Sequence, residues 1–155
     1  MAADRMAEAL TAWCGSDLLE VGSVWSSSLS RCRIPAERLA EAFGIQARID
    51  RRLLEVDFGS WEGRSWEQLE REDSQRLAAW MENWQTLPPP GGESLDALME
   101  RVSSWWADRS DSDGLHVLVA HAGVVRALLV IAGSTWEAAM ARPVPHLEAL
   151  APFEQ

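Results

Sequence analysis

Val117-Leu118-Val119-Ala120-His121-Ala122-Gly123 is the stretch on which the fold turns. From His116 to Ala120 the chain reads as one apolar strand, of the kind buried on both faces of a parallel sheet. A histidine ends it, and small residues then open a helix predicted over about residues 122–131. In open α/β sheets, ligands bind beyond the carboxyl ends of the strands. The unspent N–H groups of a helix start favour an anion there. His121 is therefore aimed at a place suited to phosphate. A buried histidine satisfied by a nearby carbonyl is the other reading of the same spacing.

Working outward, Val24-Trp25-Ser26 predicts a short strand, followed by Ser27-Ser28 and a helix over 29–43 that stops at Gly44. Pro35 removes a backbone donor inside that helix, so the helix proper should begin near Pro35 or be kinked before it. Residues 49–56 read as a strand that runs into the loop Asp57-Phe58-Gly59-Ser60-Trp61-Glu62-Gly63. Ser65 and Gln68 have capping-box spacing. Leu77, Trp80, Met81 and Trp84 predict a helical stripe, and Glu70-Arg71-Glu72-Asp73 marks a break before it. After the rigid Pro88-Pro89-Pro90-Gly91-Gly92 loop, Ser94 caps a helix with Leu95, Leu98, Met99, Val102 and Trp106 facing inward. Residues 110–114 form a polar loop. Thr135 or Ser134 caps a short helix, and the prolines of 143–150 suit an edge strand. Near the start, Met6, Leu10 and Trp13 make a further helical stripe. This alternation predicts an α/β fold: a three-layer sandwich, its sheet mostly parallel, with helices on both faces.

With 155 residues, 47% of them apolar, one domain spanning 1–155 is expected, with a core that needs no staples. Cys14 and Cys32 are too few and too isolated for a disulfide framework or a zinc site, so buried thiols in a reducing cytoplasm are expected. No metal ligand cluster is visible and no cofactor is expected. Residues 1–5 carry an acid and lead into no apolar run, unlike a secretory signal. His121 and Arg126 interrupt the most apolar stretch, so a soluble protein with no membrane partner is predicted. A net charge of −10 argues against nucleic acid. All 14 basic residues are arginine. Guanidinium forks suit phosphate, but base-composition bias explains most of the fourteen.

Three further segments could carry chemistry. Arg31 lies in the first turns of the helix after the early strand, where it could clamp phosphate oxygens bidentately or stand as an ordinary surface charge. Glu55 lies beside aromatic surface. A carboxyl desolvated there would have a raised pKa and could protonate a leaving oxygen, or it could be a plain polar residue at a strand rim. Glu93 and Ser94 stand at a helix N-terminus, where capping explains them and ligand contact is the alternative.

In this order, four segments resemble the histidine phosphatase (phosphoglycerate-mutase-like) superfamily: Ser27-Ser28-Leu29-Ser30-Arg31-Cys32, then Leu54 to Gly63, then Pro89-Pro90-Gly91-Gly92-Glu93-Ser94-Leu95, then Val119 to Arg126. Within it they are most similar to the α-ribazole phosphatases of cobalamin nucleotide-loop assembly. The resemblance covers nearly the whole chain. It implies a phosphoglycerate-mutase-like fold and phosphomonoester hydrolysis without a metal. It implies a small phosphorylated substrate, with α-ribazole 5′-phosphate foremost. Arg31 matches the arginine that neutralises phosphoryl oxygens, Glu55 the acid for the leaving oxygen, and His121 the second pocket histidine. The backbone of Ala122 adds a donor, and Glu93 and Ser94 fall on the substrate side.

The family's first strand ends in Arg-His-Gly, whose histidine attacks phosphorus. That tripeptide does not occur here; the histidines are His116, His121 and His146. The expectation is a fold whose first central strand is missing, through a start that lies upstream. The chain as written would then turn over little or nothing. The lost strand should leave two ladders open unless neighbours close up or a partner supplies a strand. A degenerate member that binds a phosphate ester without hydrolysing it is the rival. A homodimer formed through exposed sheet edges is a third possibility.

Overall fold

The computed structural model describes residues 21–109 and 115–144. The helix read at Met6, Leu10 and Trp13, the 110–114 loop and residues 145–150 of the final strand lie outside the described residues, as do Cys14 and His146.

Within them the order is β1 (Val21–Ser26), α1 (Ser30–Ala42), β2 (Ala47–Ile49), two single 3-10 turns (Arg51–Leu53 and Gly59–Trp61), α2 (Trp66–Glu72), α3 (Ser74–Glu82), α4 (Leu95–Asp108), β3 (Leu115–Val119), α5 (Ala122–Ile131) and α6 (Trp136–Ala141). The strands form a parallel sheet in the order β2-β1-β3. Alternation along the strands sends Val24 and Val119 to one face, where they meet Cys32, Ala36, Leu39 and Ala40 of α1. Trp25 and Leu118 go to the other face and pack against Leu98, Val102 and Trp105 of α4 and Val124, Ala127 and Leu128 of α5. The Trp25 and Trp105 rings meet edge-to-face, centroids 5.6 Å apart. The result is the predicted three layers, with helices on both faces of a parallel sheet.

Several boundaries differ from the sequence-based expectation. The strand read at 49–56 is only Ala47–Ile49. The Asp50 carboxylate accepts the Arg52 N–H at 2.8 Å and the Arg52 guanidinium as well, which turns the chain into a 3-10 helix and ends the ladder. The helix through Pro35 begins at Ser30, upstream of the proline. Leu29 C=O accepts from Cys32 and Arg33, and Pro35 removes only the donor that would have met the Arg31 carbonyl. In α3, Leu77 is buried but Met81 is 63% exposed, and Trp84 lies past the helix end. In α4 the fully buried ring is Trp105, not Trp106. Residues 143–144 carry no regular structure. β3 is half-buried except at Val119, because it is an outer strand of the described sheet.

Other readings hold. Ser65 and Gln68 make a reciprocal capping box, Asp73 separates α2 from α3, Ser94 and Thr135 cap their helices, and α5 runs from Ala122. β1 and β3 pair directly, Val24 with Val117 and Ser26 with Val119. No gap separates the strand that precedes Arg31 from the strand that leads to His121.

Candidate active site

Because Ser26 lies opposite Val119, the residues after each strand leave the carboxyl edge of the sheet side by side. Ser26 Oγ donates to the Val119 carbonyl at 2.9 Å and ties the two ends together. One residue on, Ser27 Oγ and His121 Nε2 share a 2.7 Å hydrogen bond, with both residues buried. The Cys32 thiol, from the first turn of α1, donates to Ala120 C=O at 3.4 Å and lies 3.6 Å from His121 Nδ1. His121 is the N-cap of α5 in extended backbone, and its carbonyl takes the first helical bond from Val125 N–H. Ala122 is the first helical residue, so its N–H has no acceptor within the helix.

Burial pushes the His121 imidazole down to about 4, helped by the nearby charges of Arg31 and then Arg101. The ring is therefore neutral at pH 7. Arg31 is exposed, on the second residue of α1, and its charge reaches both His121 and Cys32. Burial raises the Cys32 thiol, with Arg31 pulling the other way, so this free cysteine stays protonated and a poor nucleophile.

Glu55 is not at a strand end but in the irregular chain after the first 3-10 turn. Its Oε1 accepts from Val56 N–H at 3.0 Å and from Gly123 N–H at 3.1 Å. A carboxylate is thus seated on the first turn of the helix that His121 caps. Gly123 leaves room for that contact, because a Cβ built on it would overlap Glu55 Oε1 and push the carboxylate aside.

Glu93 and Ser94 have partners of their own. Both Glu93 oxygens are held by Arg101, Nε to Oε1 at 2.6 Å and Nη2 to Oε2 at 2.8 Å. Ser94 Oγ accepts from Ala97 N–H as the cap of α4. Arg101 also donates to the carbonyls of Arg52, at 2.6 Å, and Glu55, at 3.2 Å. It therefore joins the Glu93 loop to the segment that carries Glu55. Backbone bonds from Ser60 N–H to Pro90 C=O and from Glu93 N–H to Asp57 C=O close the same two loops on each other. Gly59, at φ 55°, permits the approach; a Cβ there would strike Pro90 C=O.

The structure thus places Glu55, His121 and Ala122 at the start of α5, keeps Arg31 near enough for its charge to act on the His121 ring, and connects Glu93 to the Glu55 segment through Arg101. Sequence reasoning missed Ser27, Cys32 and Arg101 as parts of this site. Ser27 and Cys32 stood inside a quoted motif without roles. Arg101 carried no local signal, since its partner Glu93 lies eight residues before it, ahead of the helix start. Chemically, a guanidinium, a neutral imidazole, unspent helix-start N–H groups and a carboxyl suit a phosphoryl group and its leaving oxygen.

Comparison with known proteins points the same way. The family model of the histidine phosphatase superfamily (branch 1) matches residues 3–149. The adenosylcobalamin/alpha-ribazole phosphatase of Salmonella typhimurium is 34% identical over 121 residues, 73% of this chain and 59% of that protein. The glucosyl-3-phosphoglycerate phosphatase of Mycobacterium tuberculosis is 34% identical over 113 residues, 66% of this chain and 50% of its own. Among solved structures, the alpha-ribazole phosphatase from Shigella flexneri superposes with a TM-score of 0.77 at 25% identity, covering 94% of this chain and 71% of that one. The mycobacterial glucosyl-3-phosphoglycerate phosphatase with inorganic phosphate gives 0.66 at 30% identity, covering 84% and 65%. The chain spans between 50% and 59% of the length of these two curated relatives.

Proposed function

The chain belongs to the histidine phosphatase superfamily, and from that premise we propose that its pocket serves phosphomonoester hydrolysis, with α-ribazole 5′-phosphate as the substrate. Arg31 neutralises phosphoryl oxygens, His121 holds the group and steadies its charge, Ala122 N–H adds a donor, and Glu55 protonates the leaving oxygen. Glu93 and Ser94 border the substrate, with Glu93 oriented by Arg101. The observation that carries this reading is the joining of the two strand ends through Ser27 and His121, with the Arg31 charge acting on that imidazole. The Salmonella and Shigella relatives, named for α-ribazole, support the substrate; the mycobacterial relative, named for glucosyl-3-phosphoglycerate, supplies the competitor. The buried free Cys32 supports work in a reducing cytoplasm.

A second reading is that these 155 residues bind a phosphate ester without turning it over, since the groups gathered here neutralise and hold a phosphoryl group while the thiol beside His121, that of Cys32, is a poor nucleophile. Calorimetry and turnover assays on the purified 155-residue chain separate the two. Both readings expect binding of α-ribazole 5′-phosphate, weakened about tenfold or more by Arg31→Ala; turnover above background supports the first, and binding without turnover the second. Turnover abolished by His121→Ala would overturn the second reading, and no binding at all would overturn both.

A further inference from the structure

We propose that the hollow between Phe58, Trp61 and Trp66 is a subsite for a flat, neutral aromatic ring, and that the dimethylbenzimidazole base of α-ribazole 5′-phosphate is the ring it takes. The choice of base rests on the substrate reading above; the ring site itself does not. The hollow holds about 200 Å³. A site for a whole drug-sized ligand has roughly 300–1,000 Å³, so this one suits a single ring system of a larger molecule. Trp80 fixes its walls. That indole stacks on Trp66, centroids 5.8 Å apart and 26° between planes, meets Trp61 edge-on and lies tilted against Phe58. Trp61 is buried, and its indole N–H donates to the Asp73 carboxylate at 3.0 Å. Trp66 is 56% exposed although Trp80 sets its plane. An indole kept in water at a fixed tilt beside a hollow is a stacking platform prepared before its ligand arrives. Charge at the rim disfavours an anion. The Glu62 carboxylate accepts Phe58 N–H, and the Arg64 guanidinium is met by Glu72. No net positive field is left for phosphate, while the Arg64 N–H groups not spent on Glu72 can donate to a ring nitrogen. Position agrees with a base subsite. Phe58 is three residues beyond Glu55, at most about 11 Å along the chain. It packs against both the Trp61 cluster and the core between α4 and α5. The hollow is thus one short loop away from the carboxylate seated on α5.

The test is calorimetry of the 155-residue chain with α-ribazole 5′-phosphate, ribose 5-phosphate and 5,6-dimethylbenzimidazole alone, joined to proton spectra of the free base. Wild type should bind α-ribazole 5′-phosphate about tenfold or more tightly than ribose 5-phosphate, the worth of one stacked base. Trp66→Ala should erase that preference and leave ribose 5-phosphate binding unchanged. Trp66→Phe, which keeps a π face, should restore part of it and gives the same reading if the alanine variant does not fold. The aromatic protons of 5,6-dimethylbenzimidazole should shift upfield on wild type and much less on Trp66→Ala. Equal losses for both sugar phosphates in Trp66→Ala would make Trp66 merely structural and overturn the proposal. Wild type that shows no preference for the base-bearing ester, or that does not bind the free base, would overturn it as well. If wild type binds the free base through Trp66 but does not bind ribose 5-phosphate, the phosphate-site reading falls and the ring site stands.

Discussion

His121 resists protonation in the folded chain, where its pKa is about 4, while in the unfolded chain it takes up a proton near pH 6.5. Between those values the unfolded state binds more protons than the native one, so stability rises with pH. The His121 contribution is complete above about pH 6.5 and is lost as pH falls toward about 4. The loss should be on the order of 2 to 3 kcal/mol at about pH 4. Urea midpoints measured from about pH 7 to about pH 4 should show this fall in wild type, and a shallower one in His121→Asn. A second residue-scale prediction concerns Gly123. Because the atom in the way of a Cβ is the end of the Glu55 side chain, Gly123→Ala should displace that carboxylate without unfolding the chain. Stability should change by no more than about 1 kcal/mol, while the Glu55 side-chain carboxyl 13C signal moves. A signal that stays in place would mean that Glu55 is not seated on the start of α5. The position of His121 was legible in sequence because a buried strand, a histidine and small residues follow each other directly. Its partners were not, since Ser27 lies 94 residues away and only strand pairing brings it near.

Elements carry the rest of the site. Arg101 binds three segments together from one face of α4: the Glu93 loop, the 3-10 turn at Arg52 and the chain at Glu55. Arg101 and Glu93 are 20% and 18% exposed, so removing the cation leaves a largely desolvated carboxylate and two carbonyls without their donor. Arg101→Ala should cost about 2 to 3 kcal/mol in urea unfolding. Arg101→Lys should recover only part of it, because an ammonium cannot reproduce the fork. A loss below about 0.5 kcal/mol would show that the clamp is only a surface pair. The caps at Ser65, Ser94 and Thr135 were readable from sequence because each is a local competition between a side-chain oxygen and water for helix N–H groups. The end of β2 was not. Apolar residues at 53, 54 and 56 resemble a strand, but the Asp50 carboxylate captures Arg52 N–H and diverts the backbone before they are reached. Of the two readings of Pro35, a start near the proline fails, since a single lost donor near a helix start is tolerated when α1 is pinned to β1 and β3 by Ala36, Leu39 and Ala40.

At the scale of the whole molecule, the alternation of strands and helices was enough to foresee three layers and a parallel sheet, because a strand followed by a helix must return on the same hand. Strand order was not foreseeable, since β1 and β3 are both apolar and either could have paired elsewhere. Their direct pairing places Arg31 and His121 at one sheet edge, in a chain whose net charge of −10 otherwise repels anions. Diffraction from crystals of the 155-residue chain soaked in inorganic phosphate or orthovanadate tests this convergence most directly. An anion held between the Arg31 guanidinium, the His121 ring and the Ala122 N–H at the start of α5 is the predicted result. Arg31 and His121 facing separate sides of the molecule, with no anion between them at saturating concentration, would contradict it.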